Sequence, residues 1–161
     1  MNITSNLEIK RPAWQNFTML ALGFWLSASL ILDWVIMPSL YVSGMMAQDG
    51  FASAGYLIFW VFNRVELLCA GLVLTGILTM SYGQLAWYRG AIFLAGLMLT
   101  IALVDTYLLT PQMSAIGIHL NQFAATVEVP ATMNLLHGAY WVLDVMKLVT
   151  GGVLLGWCSK N

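Results

Sequence analysis

Four stretches of the chain are apolar over long, nearly unbroken runs: residues 14–37, 59–82, 87–110 and 133–157. The hydrocarbon core of a bilayer takes about 20 apolar residues in helical form. Each stretch meets that length, so the pattern predicts four membrane-spanning helices. Pro38 and Pro111 follow the first and third stretches and Pro130 precedes the fourth, where a residue without an N–H ends or opens a helix. Trp14, Tyr82, Trp87, Tyr88 and Trp157 stand at the ends of stretches, as an interfacial aromatic belt requires. The connections at about 39–58 and 112–132 mix apolar and small residues at loose helical spacing. The expected fold is therefore all-α. It is a single membrane domain over residues 1–161, an integral membrane four-helix bundle of two hairpins, with short interfacial helices on the outer side.

Composition agrees with the pattern. The chain is 60% hydrophobic and 8% charged, against about 25% charged in soluble domains, and its mean hydropathy is +0.82. Lys10 and Arg11 precede an apolar run too long for a signal-peptide core and without a small-residue cleavage site, so that run reads as a retained first span. Arg89 lies between the second and third spans and Lys160 at the end of the fourth. The connections on the other side carry no Lys or Arg. Positive charge thus collects on one side, which predicts that both termini are cytoplasmic. A net charge of −1 offers no electrostatic footprint for nucleic acid. Cys69 and Cys158 belong to different spans, at different expected depths, and no zinc-like Cys/His spacing occurs.

A short internal repeat shows in the apolar pattern. LDWVIMPS (Leu32–Ser39) resembles VDTYLLTPQ (Val104–Gln112), and ELLCAGLVL (Glu66–Leu74) aligns without gaps on KLVTGGVLL (Lys147–Leu155). Two hairpins of like orientation would pack about an axis along the membrane normal.

Charges inside the apolar stretches set the chemical question. Asp33, Arg64, Glu66, Asp105, Asp144 and Lys147 all lie there, and each costs about 2.5–3.5 kcal/mol at the centre of a span. A 100° step along the last span brings Asn134, His137, Trp141, Asp144, Lys147 or Leu148, and Gly151 onto one stripe. Asp144 and Lys147, three apart, can pair within their helix. Asp33, Arg64, Glu66, Asp105, His137, Asp144 and Lys147 are accordingly expected to form an intramembrane polar seam, with Asp33 paired to Arg64 and Asp105 to Lys147. Such a seam either fixes the register of the helices or binds and moves an ion or proton. Small residues four apart, Gly71/Thr75, Ala91/Ala95 and Gly152/Gly156, would let helix backbones approach closely, inside the bundle or against a partner.

Other chemistry is thinly represented. His119 and His137 are the two histidines, and five of the ten methionines fall on the outer side, so a haem, pigment or copper site using those histidines is conceivable. No nucleophile elbow, zinc-protease motif or phosphate loop is present, and no catalysis is expected.

Three segments carry a family resemblance: WLSASLILDWVIMPSLY, FASAGYLIFWVFNRVELL and MNLLHGAYWVLDVMKL. With Pro38, Ala54-Gly55 and Leu136-His137-Gly138, they resemble the transmembrane-protein-205-like family, a four-span membrane domain of unknown function, in wording closest to cyanobacterial members. The resemblance implies a plasma or thylakoid membrane location and no established chemistry. Three expectations for function follow. The first is a non-enzymatic accessory or assembly factor that associates with other membrane proteins or with itself. The second is a transporter or channel-like protein using the intramembrane charges, and the third a haem, pigment or copper-binding membrane protein.

Overall fold

The computed structural model describes residues 13–48, 50–81, 87–123 and 131–160. Four helical rods make up the bundle: α1 (Ala13–Val42), α2 (Phe51–Met80), α3 (residues 87–123) and α4 (Ala131–Lys160). All four contain segments of 30 residues long and apolar enough to cross a membrane. At 1.5 Å per residue that is about 45 Å, a whole bilayer with its headgroup layers. The protein is an integral membrane four-helix bundle.

Two of the expected helix ends are absent. α1 runs on through Pro38 to Val42, and α3 through Pro111 to Phe123. The physical reason lies one turn earlier. Residues Leu30–Ile36 of α1 and Asp105–Leu109 of α3 are wound as π-helix, so the N–H of Met37 bonds to the carbonyl of Leu32 and that of Thr110 to the carbonyl of Asp105, five residues back. A proline inside an α-helix loses one hydrogen bond and presses its ring on the carbonyl four residues earlier. The extra residue in a π-turn widens the ladder there, and the helix passes the proline intact. The short helical segments at this end therefore run on from the rods, as Met37–Val42 and Thr110–Phe123, and a one-turn 3-10 helix at Met45–Ala47 leads from the first of them towards α2. Gly44 and Gly50 take left-handed φ angles of 73° and 83° in the α1–α2 turn, a conformation that glycine adopts without a Cβ penalty.

The rods stand in a square. α1 and α3 each pack against both α2 and α4, while the diagonal pairs have no close backbone contact among the described residues. Gln15 of α1 donates to the carbonyl of Cys158 at 2.6 Å, so the start of α1 and the end of α4 share one end of the bundle. Arg89 and Lys160 are exposed at that end. Its interior is apolar: Leu22, Trp25, Val73, Ile77, Ala95, Met98 and Leu154 are almost wholly buried. Cys69 and Cys158 are buried and free.

Glycine at two places sets how close the rods come. A Cβ on Gly76 of α2 would run into the Thr18 hydroxyl of α1, and one on Gly151 of α4 would lie 2.6 Å from a methyl of Leu26. Gly71, Gly152 and Gly156 have open space where a Cβ would stand, so those small-residue stripes face outward, whereas Ala91 and Ala95 are buried between helices. Gly76→Ala and Gly151→Ala are each expected to lower stability by about 1–3 kcal/mol through overpacking. Gly71→Ala and Gly152→Ala should be neutral or slightly stabilising. Thermal unfolding of the four variants in one detergent checks the contrast.

Candidate functional site

Polar side chains from all four helices meet near the middle of the bundle. Glu66 is the sixteenth residue of α2, Asp144 and Lys147 the fourteenth and seventeenth of α4. The 3- and 4-residue steps of α4 bury Tyr140, Asp144, Lys147, Gly151, Leu154 and Cys158 in succession. That face turns the two charged residues to the interior above the apolar layer. Asp33 and Asp105 come from the π-turns of α1 and α3. Asp33, Glu66, Asp105, Asp144 and Lys147 are each no more than 3% exposed.

Lys147 organises the group. Its Nζ lies 2.6 Å from Glu66 Oε1, across the diagonal from α4 to α2, and 2.9 Å from Asp144 Oδ1 on its own helix. Glu66 Oε1 also accepts from the Trp25 indole at 2.8 Å and the Ser29 hydroxyl at 3.0 Å. The Trp34 indole donates to Asp144 Oδ2 at 2.8 Å. The Tyr140 hydroxyl donates to Asp33 Oδ1 at 2.8 Å. Asn63 donates to the Thr110 hydroxyl at 2.8 Å and, at 3.4 Å, to the carbonyl of Asp105, so it spans the π-turn of α3 from its first residue to the one that closes it. Two T-shaped aromatic pairs flank the centre, Trp34 with Trp141 and Phe59 with Tyr140.

Several acceptors are left over. Asp33 Oδ2, Glu66 Oε2, Asn63 Oδ1 and both carboxyl oxygens of Asp105 are buried with no hydrogen-bond partner among the described residues. Buried polar groups are ordinarily satisfied, and each exception costs about 1–3 kcal/mol or more. The centre is thus rich in acceptors and short of donors. Among the described residues, no three His, Cys, Asp or Glu side chains converge closely enough to hold a metal ion.

Set against the sequence-based seam, the geometry keeps five members and releases two. Asp33, Glu66, Asp105, Asp144 and Lys147 come together, and the Asp144–Lys147 pair forms as expected. The Asp33–Arg64 pair does not form, because Arg64 faces outward from α2, stacked 3.4 Å over the Trp60 ring and bonded to the Trp60 carbonyl. Asp105 does not bond to Lys147, whose donors go to Glu66 and Asp144. His137 is exposed and bonds only along its own helix, to the Met133 carbonyl at 3.0 Å. It stands beyond Tyr140, where α4 leaves the packed part of the bundle and borders an open apolar cleft with Val104 and Leu109 of α3. His119 lies in the last segment of α3, its side chain outside the described part of the structure. Trp25, Ser29, Asn63, Thr110 and Tyr140 were not singled out by sequence. For Asn63 and Tyr140 the repeat supplies a signal: extended upstream from Glu66/Lys147, the same register sets Phe59-Trp60-Val61 against Tyr140-Trp141-Val142 and Asn63 against Asp144.

Comparison of the chain with protein-family models, with curated proteins and with solved structures gives no match.

Removing Lys147, the interior cation among the described residues, should be far worse than removing the outward-facing Arg64 or His137 side chain. Lys147→Met leaves four buried carboxyl groups without a counter-charge and is expected to cost about 3–5 kcal/mol. Arg64→Met and His137→Ala should stay within about 1 kcal/mol of the parent. Unfolding midpoints in detergent test this. A Glu66→Gln/Lys147→Met double variant should recover part of the loss, the signature of a coupled pair.

Proposed function

We propose that this is a non-enzymatic integral membrane protein whose buried centre binds protons, a transporter- or channel-like protein of the membrane interior. One observation carries the reading: among the described residues, four carboxyl groups share a sealed, low-dielectric interior with a single ammonium group. Fully ionised, the centre would hold three negative charges more than Lys147 balances. Uncompensated charge at that depth is prohibitive. Bound protons are the simplest balance, since the unpartnered oxygens ask for hydrogen-bond donors. A purely structural clamp needs only the Lys147–Glu66–Asp144 contacts. It gives no account of Asp33 and Asp105, each held in a π-turn, a feature frequent at functional sites.

The apolar layer of Leu22, Trp25, Val73, Met98 and Leu154 closes the bundle towards the terminal end, so protons reach the centre from the α1–α2 turn side, and passage requires the bundle to rearrange. With Arg89 and Lys160 at the terminal end, that end is proposed to be cytoplasmic, in a bacterial plasma or thylakoid membrane. Membership of the transmembrane-protein-205-like family is proposed on the three sequence segments alone.

A separate observation favours an additional accessory role. The stripes Gly71/Thr75 and Gly152/Gly156 face outward on the diagonally opposed helices α2 and α4, where a helix of another membrane protein or of a second copy could seat closely. Stoichiometric co-purification of a partner in mild detergent would support it.

The transport reading is tested in liposomes carrying the purified protein and an internal pH dye, with a potassium gradient and valinomycin setting the membrane potential. An inward potential should acidify the lumen. Asp105→Asn should abolish the signal, and His137→Ala and Arg64→Met should retain it. A monodisperse, correctly reconstituted protein that leaves the dye unchanged under either polarity would end this reading.

A further inference from the structure

The four carboxyl groups of the centre are not equally provided for. Glu66 receives three donors, from Trp25, Ser29 and Lys147. Asp144 has Trp34 on one oxygen and Lys147 beside the other. Asp33 has the Tyr140 hydroxyl on one. Asp105 is wholly buried and, among the described residues, has no donor on either oxygen. Around it stand Lys147 and Asp144 from α4, Glu66 from α2 and Asp33 from α1, so one cation and three other carboxyl groups act on it electrostatically.

The internal repeat explains why Asp105 is the one left bare. Glu66 and Lys147 are equivalent positions of the two halves, 81 residues apart in the chain, and they meet directly. Equivalent residues that touch must lie at the axis relating the halves. Phe59 and Tyr140 share that register and also meet, with ring centroids 5.9 Å apart. Asp33 and Asp105 are equivalent in the other pair of helices, each within a π-turn. Tyr140 serves Asp33, so by the register of the repeat residue 59 is the counterpart of that tyrosine for Asp105. Residue 59 is phenylalanine, and the hydroxyl that would satisfy Asp105 does not exist.

We propose that Asp105 is the carboxyl group through which the centre takes up and releases its proton, and that Phe59, standing where the other half has Tyr140, keeps it free to do so. Asp33 is then the static counterpart, locked by its tyrosine. The inference rests on the proton-binding reading above and assigns it to one group. Asn63 and Thr110 are positioning residues, since they brace the π-turn that carries Asp105 without touching its carboxyl group.

Dicyclohexylcarbodiimide, an apolar reagent that adds to proton-carrying carboxyl groups inside membranes, gives the test when the adduct is mapped by peptide mass spectrometry. The parent protein should be labelled on Asp105, and Asp105→Asn should lose the label. Phe59→Tyr should suppress labelling, and Phe59→Leu should keep it. The double exchange Phe59→Tyr/Tyr140→Phe, which preserves both rings and the single hydroxyl of this pair, should move the label to Asp33. Monodisperse elution of each variant verifies the fold. Parent label on Asp33, Glu66 or Asp144 would overturn the assignment, as would a label that stays on Asp105 after the double exchange. Protection by sodium at constant pH would overturn it in favour of a bound metal cation. Labelling of Asp105 in a protein that moves no protons in liposomes would remove the transport reading and leave the assignment standing. Proton flux with the label elsewhere would do the reverse.

Discussion

Lys147 reaching Glu66 across the bundle diagonal is the contact on which the rest of the structure depends. The α2 and α4 backbones do not approach each other closely, so only long side chains can join them, and the 2.6 Å ion pair does so at mid-length. Neither group could stand alone in a bilayer interior. The pair therefore fixes both helices in rotation and depth, and everything else in the centre takes its place from that. Trp25 and Ser29 bring α1 to the same carboxylate, and Asp144 is held by the same ammonium. Polar contacts inside membranes average only about 0.6 kcal/mol in measured cases. Their main effect here is to select one arrangement among several apolar packings of similar energy.

The π-turns are the second constraint, and they connect fold to chemistry. A straight α-helix ending at Pro38 or Pro111 would leave Asp33 and Asp105 near the ends of their spans, close to water. Because the helices pass the prolines, the bundle extends beyond both aspartates and encloses them. The same distortion that spares the helix thus moves a carboxyl group from the interface into the interior. There it acquires functional potential, because a group with unsatisfied acceptors is stable only with a proton or cation supplied from outside.

Much of this was legible in the sequence, in a graded way. The four spans, the all-helical fold and the Asp144–Lys147 pair follow from apolar run length and the 3.6-residue period, which are properties of one helix at a time. Which helix faces which is a property of pairs, and there the reading failed. Arg64 was assigned inward because it is charged. A side chain as long as arginine's can instead lie along its own helix and stack on Trp60, its charge directed outward. The prolines were read as stops because the π-turn that accommodates them has no strong local signature. The small-residue stripes were ambiguous for a similar reason, since spacing alone does not say whether Gly71 or Gly76 faces the neighbour, and it is Gly76 that does.

The repeat held more than its apolar identities suggested. A duplicated pair of hairpins first yields a symmetric centre, in which both aspartates have the same surroundings and the axis carries identical residues. Like charges meeting on the axis of a low-dielectric interior repel, so two glutamates or two lysines there are untenable. With Glu66 on one side and Lys147 on the other, the same place holds an attractive contact instead. Once the axis is asymmetric in charge, the two halves no longer need the same satisfaction elsewhere. A tyrosine serves Asp33, while Asp105 has no donor among the described residues and the position matching that tyrosine is Phe59. It is the difference between the halves, more than the repeat itself, that points to where this protein acts.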